Sequence, residues 1–288
     1  MSSVAAPERA LVAATEPAAP VPWLLVLGAL AILRRDAQVF WSYRLRLITR
    51  FLGTAFSLTL FYYISRLVKV SMFRSHDAYY AFAVVGLIIL TVLNSTLATP
   101  PAAARQEQVS GTFERLAVSP FGVGAALISG MLFPLCFAMG MAIVSLTFAG
   151  VAFGLALHWS TVPLAIPLGL LGATAFMPFG VIVLAATIVV KQAAASTTWI
   201  IAGISLVAGL YFPVSLLPAG IRWLSDVQPF TPAVDLLRHV LVDTPLRESW
   251  LLSLGKLAGF SAIMMPLAVW LLGRGLEVGR RRGTLTEY

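Results

Sequence analysis

Residues 162–190 read VPLAIPLGLLGATAFMPFGVIVLAATIVV, a stretch without a single charged side chain. It lies within a longer run, from Arg115 to Arg222, in which Lys191 carries the only formal charge. Because a helix rises about 1.5 Å per residue, about 20 apolar residues are enough to cross the hydrocarbon core of a bilayer. The stretch therefore predicts a membrane-spanning helix and places the chain in the all-α integral membrane class.

The composition of the whole chain supports this class. Of its 288 residues 59% are hydrophobic and only 11% are charged, whereas soluble domains carry about 25% charged residues. The net charge of +8 does not indicate nucleic-acid binding, because the cations flank apolar runs instead of gathering on one polar face. The chain has one cysteine, Cys136, so an intrachain disulfide is excluded.

Six apolar stretches are long enough to span a bilayer. They cover residues 47–67, 79–99, 122–146, 162–190, 199–217 and 250–272. The predicted division of the chain is a disordered tail at 1–21, an interfacial amphipathic helix at 22–46, a six-span transmembrane domain at 47–273 and a basic cytoplasmic tail at 274–288. Most of the cations that flank the spans fall on the side of the N-terminus, which predicts that both termini are cytoplasmic. Arg66, Lys69 and Arg74 form a cluster on the opposite side.

The loop at 102–120, between the second and third predicted spans, is the most polar internal segment on that side. Residues 112–118 have the pattern of a short amphipathic helix, with Phe113 and Leu116 on one side and Glu114 and Arg115 on the other. Gly111 is expected to break the preceding helix. A soluble partner that gripped such a helix could move both spans as a unit. An ordinary solvated turn explains the same pattern equally well.

Two motifs in this chain resemble those of the type-2 ABC exporter permeases, which include drug-resistance and polysaccharide or lipid exporters. The first runs from Glu107 through Gly111-Thr112 and Phe113-Glu114 to Ser119-Pro120. The second joins Gly209, Phe212-Pro213 and Leu217-Pro218 to Gln228-Pro229 and Leu237-Arg238. The chain departs from the family pattern at Val109, where many relatives have an acidic residue, and at Gln228, where many have asparagine.

The resemblance implies a permease half that works with a second permease subunit, identical or homologous, and with two copies of a nucleotide-binding ATPase subunit. ATP and Mg²⁺ would bind to the ATPase, and this chain would hold no cofactor and no catalytic residue. In agreement, the sequence contains no glycine-rich phosphate loop ending in Lys-Ser/Thr. The residues implied to couple the permease to the ATPase are Glu107, Gly111, Thr112, Phe113, Glu114, Arg115 and Leu116.

Residues 212–248 are interrupted by Pro213, Pro218, Pro229 and Pro232, although the residues between them remain largely apolar. In the family this region forms short re-entrant helices on the outer side of the membrane. Irregular backbone at such depth is tolerated where protein covers it or where it lines a wet cavity. The candidate external gate comprises Phe212, Pro213, Leu216, Leu217 and Phe230. A passive external cap is the alternative.

Asp235, His239 and Asp243 are spaced to share one helix face. A metal site or an acid–base pair would require a closed set of ligands or a nucleophile, which the sequence lacks. An ordinary exposed helix is the favoured interpretation, and no metal site is predicted.

The predicted function is ATP-driven export of a hydrophobic or amphipathic substrate, such as a drug, a lipid or a lipid-linked glycan, across a bacterial cytoplasmic membrane. The sequence indicates no polar constellation inside the spans that would bind a sugar or a peptide. The alternatives are an ion-coupled carrier, which usually has acidic residues within its spans, and a membrane enzyme or non-transporting scaffold.

Overall fold

The computed structural model describes residues 22–67, 73, 75–111, 122–155, 157–190 and 193–282. These residues form eleven α-helices and one 3-10 helix. The α-helices are α1 (Pro22–Ser42), α2 (Arg44–Leu67), α3 (His76–Leu97), α4 (Thr99–Val109), α5 (Val123–Ser129), α6 (Leu132–Phe153), α7 (Val162–Val189), α8 (Ala193–Val207), α9 (Ala219–Val227), α10 (Phe230–Val242) and α11 (Trp250–Arg282). The 3-10 helix lies between α8 and α9, at Val214–Leu216.

Five helical stretches are long and apolar enough to cross a membrane. They are Leu47–Leu67, His76–Val109, Val123–Phe153, Val162–Val189 and Trp250–Arg281. They correspond to the first four and the last of the six predicted spans, which confirms the prediction of an all-helical membrane protein.

The fifth predicted span, residues 199–217, is wrong at its C-terminal end. Helix α8 has only 15 residues and ends at Val207, although the sequence stays apolar for another ten residues. The helix ends because Gly209 adopts a left-handed conformation, with φ of +75°, and the N–H of Leu210 bonds back to the Ser205 carbonyl at 3.1 Å. This glycine-closed C-terminus is a common helix stop, and hydropathy alone does not reveal it.

Other predicted boundaries shift as well. The loop at 102–120 is helical through Val109, and α11 continues through Arg282 into the predicted basic tail. The predicted interfacial helix at 22–46 ends earlier, at Ser42, and α2 starts at Arg44. The predicted disordered tail at 1–21 lies outside the described residues.

Helix α7 is the centre of the bundle and packs against α3, α4, α6, α8, α10 and α11. In the most apolar parts of α3 and α7, 72% and 67% of residues are buried, whereas the corresponding values are 6% for α2 and 17% for α11. Aromatic rings fill the contact between α7 and α10, where Phe230 lies 4.7 Å from Phe176 and 4.9 Å from Phe179 between ring centroids. The first and last long helices are therefore peripheral.

The two ends of the bundle differ in what caps them. At one end, here called the α4 end, α4 packs near the C-terminal part of α7, and Gly275 of α11 approaches Ala185 of α7. At the other end, the α10 end, the start of α7 is tied to the end of α10. There the Thr161 hydroxyl donates to the Val240 carbonyl at 2.5 Å, and the His158 N–H donates to the Leu241 carbonyl at 3.2 Å.

Candidate functional site

Helix α4 continues α3 after a break at Ala98, and it carries the start of the predicted coupling segment. Pro100 and Pro101 occupy its first turn, where a missing N–H costs little. Pro100, Ala104 and Gln108 recur every four residues and are all buried, and α4 packs against α7 and α3. The helix ends at Val109, and Gly111 has φ of +70°, as expected of a glycine that breaks a helix. Movement of α4 would therefore be transmitted to both central helices.

Of the seven predicted coupling residues, Glu107 and Gly111 are placed, and Thr112–Leu116 lie outside the described residues. The Glu107 carboxylate is 3.9 Å from the Arg35 guanidinium of α1, and Arg35 also pairs with Asp36 at 2.9 Å. These charges rim an open cleft of about 640 Å³ between α1, α4, α5 and α6. The sequence contained no indication that the N-terminal helix and the coupling segment would meet.

At the α10 end, a buried arginine holds together three separate parts of the chain. Arg238 is only 4% exposed and donates to the carbonyls of Gly209 at 2.8 Å, Leu210 at 3.0 Å and Phe82 at 3.3 Å. Its guanidinium also lies over the Phe82 ring, 3.4 Å from the centroid. We call this arrangement the Arg238 clasp. It joins α3, the turn after α8, and α10.

The clasp depends on a glycine in α3. A Cβ atom on Gly86 would lie 2.2 Å from the Leu210 carbonyl oxygen and 3.1 Å from a guanidinium nitrogen of Arg238. Any larger residue would displace the turn, because atoms cannot approach so closely. Gly86 therefore makes room for the carbonyl that Arg238 binds.

Charged side chains surround the base of the clasp. Burial lowers the pKa of Arg238 to about 9, and the nearby Asp235 carboxylate opposes this shift, so the guanidinium stays protonated at neutral pH. Burial raises the pKa of Asp235, and Arg247 and Arg238 oppose that shift. Close by, Arg247 pairs with Asp226 at 3.2 Å and Lys256 pairs with Glu248 at 2.5 Å. These ion pairs tie α9 and α11 to the segment between α10 and α11.

The five candidate gate residues lie in different environments. Leu216 is 57% exposed, whereas Leu217 is buried and Phe230 lies in the aromatic core between α7 and α10. Phe212 and Pro213 are partly buried in the turn that precedes the 3-10 helix. Phe230 therefore contributes to the packed core and not to a surface shared with Leu216.

Helix α10 is less exposed than expected, because most of its residues are buried; Asp235 and His239 are partly buried, and Asp243 is exposed. His239 Nδ1 is 2.8 Å from the Thr244 carbonyl, and Asp243 is the C-cap of α10 with φ of +54°. Among the described residues, no group of three His, Cys, Asp or Glu side chains is placed to hold a metal ion.

Sequence reasoning missed the role of Arg238, although a signal was present. Arg238 is the one arginine in the apolar run of α10, and the buried residues Val234 and Leu241 lie on the same helix face, four residues before it and three after it. A lone cation among core positions indicates a buried hydrogen-bonding role.

Comparison with known proteins agrees with this architecture. A family profile described as "ABC-2 type transporter" matches residues 28–242, from within α1 to the end of α10. No curated protein matches the sequence significantly. Members of the family are permeases without an ATPase site of their own, and they generally work with a nucleotide-binding ATPase partner. This multi-pass membrane protein belongs to the ABC-2 type transporter family.

Proposed function

We propose that this chain is the permease subunit of a bacterial ABC exporter that moves a hydrophobic or amphipathic substrate out across the cytoplasmic membrane. Two copies of a separate ATPase subunit supply the energy, and a second permease subunit completes the substrate path. The observation that carries the proposal is the family match over residues 28–242, which includes the coupling segment as well as the C-terminal motif. In this arrangement the α4 end faces the cytoplasm.

The packing of α4 supports a coupling role. Helix α4 rests on α7 and α3, which belong to the two most buried of the five candidate spans, so a displacement of α4 reaches the core of the bundle. The segment 112–116 follows Gly111 in the sequence. In this proposal Phe113 and Leu116 supply apolar docking area on the ATPase, and Glu114 and Arg115 set the register through charge.

The N-terminal helix suits an interfacial position. Trp23 and Trp41 near the two ends of α1 are 58% and 70% exposed, and amphipathic aromatic rings favour the headgroup layer of a membrane. The contact between Arg35 and Glu107 links this helix to α4. Together they would form the membrane-facing side of the ATPase dock, in contact with lipid.

The coupling role predicts that Glu114→Arg lowers vanadate-sensitive ATPase activity of the assembled complex by about tenfold or more. Charge reversal at a docking rim places like charges together, and a tenfold change corresponds to about 1.4 kcal/mol. The complex would be purified in mild detergent from native membranes, and both its subunit content and its ATP hydrolysis would be measured.

Glu277→Arg makes the same change of charge at a half-exposed position of α11, where Glu277 pairs only with Arg281 four residues later among the described ion pairs. This control should retain full activity. Undiminished activity in Glu114→Arg would argue against docking through this segment. Absence of any ATPase subunit from the wild-type complex, together with absence of ATP hydrolysis, would overturn the exporter function itself.

A further inference from the structure

Polar side chains line a groove between α2 and α3 within the predicted membrane depth. The groove has a volume of about 290 Å³. Arg50, Thr54 and Ser57 line it from α2, and Thr91 and Asn94 line it from α3. We call this site the α2–α3 groove. The sequence did not reveal this set of polar residues, because it forms only when two helices are brought together.

The spacing of these residues explains the groove. Arg50, Thr54 and Ser57 lie at i, i+4 and i+7 of α2, and Leu87, Thr91 and Asn94 have the same spacing on α3. Such residues form one stripe along a helix. From Arg50 to Ser57 the stripe extends about 10 Å along the helix axis, from near the end of the first span to its middle.

The hydroxyl and amide groups present acceptor oxygens to the groove. The Thr54 hydroxyl donates to the Arg50 carbonyl at 3.1 Å, Ser57 to Gly53 at 3.0 Å and Thr91 to Leu87 at 3.0 Å. The Asn94 amide donates to the Leu90 carbonyl at 2.8 Å, and its side chain is exposed. Because these donors are used within their own helices, the lone pairs of the oxygens remain to accept hydrogen bonds from a ligand.

Arg50 supplies the positive charge of the groove. Its guanidinium lies 5.3 Å from the centre of the Phe137 ring of α6. No carboxylate forms an ion pair with it among the described residues. Arg50 is exposed and lies three residues inside the first predicted span, so its guanidinium can reach the headgroup layer of the membrane. Its five N–H donors suit an anionic oxygen group such as a phosphate.

We propose that the α2–α3 groove binds the polar headgroup of the cargo, and that this cargo is an amphiphile bearing an anionic phosphate or carboxylate together with hydroxyl groups. The anion pairs with Arg50, and the hydroxyls donate to Thr54, Ser57, Thr91 and Asn94. The apolar part lies along the exposed face of α2, which is the least buried of the spanning helices. The cargo role rests on the proposed exporter function, which it narrows to a substrate class.

Three lipids distinguish the contribution of the anionic phosphate from that of the headgroup hydroxyls. Phosphatidylglycerol carries a phosphate and two hydroxyls, phosphatidic acid carries the phosphate without headgroup hydroxyls, and the phosphate of phosphatidylcholine is neutralised by choline. The purified complex would be delipidated and titrated with each lipid, and binding would be read by native mass spectrometry. Vanadate-sensitive ATPase activity would be measured in nanodiscs of phosphatidylcholine with increasing phosphatidylglycerol.

We expect wild type to bind phosphatidylglycerol best, and Arg50→Gln to weaken this binding about tenfold or more, because the ligand loses its charge-assisted hydrogen bonds. The double variant T54V/T91V should bind phosphatidylglycerol about threefold to tenfold more weakly than wild type does. It should also no longer distinguish phosphatidylglycerol from phosphatidic acid. Thr59→Val is the matched control, because Thr59 also donates to its own helix, at 2.8 Å to Ala55, but does not line the groove. Arg66→Gln controls for loss of a cation on α2, since Arg66 pairs with Asp77.

Equal binding of phosphatidylglycerol by wild type and Arg50→Gln would overturn the site. Binding that depends on Arg50 but leaves ATP hydrolysis unchanged would overturn the cargo role and identify a resident lipid. If the groove variants instead dissociate permease dimers in the same mass spectra, a second copy of the chain covers the groove and the proposal fails. Because binding is read separately from hydrolysis, loss of the exporter function would not hide the result.

Discussion

Replacing Arg238 with methionine is expected to destabilise the protein by about 2–5 kcal/mol, because at least two buried carbonyls lose their hydrogen-bond donor. Methionine fills much of the space but provides no donor, so the carbonyls of Gly209 and Leu210 lose the donors that Arg238 supplies. An unsatisfied buried acceptor costs about 1–3 kcal/mol. Removal of a buried charge offsets only part of this loss, because the charge is already stabilised by three carbonyls and the Phe82 ring.

The measurement is the apparent Tm of the purified protein in detergent, together with hydrogen exchange at residues 208–216. Arg238→Lys keeps the charge but replaces a planar fork by a single point donor, so an intermediate loss is expected. Arg247→Met is the matched control. Arg247 lies in the same region, and its side chain is 38% exposed and pairs with Asp226. Its replacement should therefore lower the free energy of unfolding by at most about 1 kcal/mol. A Tm for Arg238→Met equal to that of Arg247→Met would show that the clasp does not stabilise the fold.

Gly180→Ala is expected to lower stability by about 3 kcal/mol, near the upper end of the usual cost of overpacking. A Cβ atom at this position of α7 would lie only 1.9 Å from the Thr96 carbonyl oxygen and 3.1 Å from Met131 Cε. The carbonyl belongs to the junction between α3 and α4, so it cannot move like the end of a side chain. In a regular helix the N–H of residue 100 would donate to the Thr96 carbonyl, but residue 100 is a proline and has no N–H.

Gly140→Ala provides the comparison, because Gly140 lies within α6 with no atom within 4 Å of an added Cβ. Alanine there should be neutral or stabilising by up to about 1 kcal/mol, through helix propensity. For Gly180→Ala we expect an apparent Tm lower by about 6 °C or more, at about 2–4 °C per kcal/mol. An unchanged Tm would mean that α7 can move away from the α3–α4 junction without loss. Since α4 leads to the predicted coupling segment, the ATPase activity of the proposed complex that carries this variant would also show how closely coupling depends on that contact.

Much of the helical framework could be predicted from apolar length alone. The stretch at 162–190 became α7 almost to the residue, although Pro167 and Pro178 lie inside the helix. The end of α8 could not be predicted in this way. The segment after Val207 is as apolar as the helix itself, and the stop depends on Gly209 and on a donor that arrives from α10.

The candidate sites were harder to predict, because each depends on contacts between segments far apart in the chain. The α2–α3 groove consists of residues that look isolated in either predicted span, and their common spacing of i, i+4 and i+7 was the signal that could have joined them. Glu107 was expected to act in coupling, but its contact with Arg35 of α1 could not be inferred from the sequence. The roles of Thr112–Leu116 remain predictions from the family resemblance.

The residues of the Arg238 clasp lie far apart in the chain, which determines when the clasp can form during synthesis. Phe82 precedes Arg238 by 156 residues, so the clasp cannot close until α10 has left the ribosome. Until then the Gly209 and Leu210 carbonyls lack the donors that Arg238 supplies in the finished fold. A chain truncated before Arg238 would insert most of its spans and still lack this closure. In such a chain the turn at the end of α8 lacks the donors of Arg238, so this part of the fold is completed only late in synthesis.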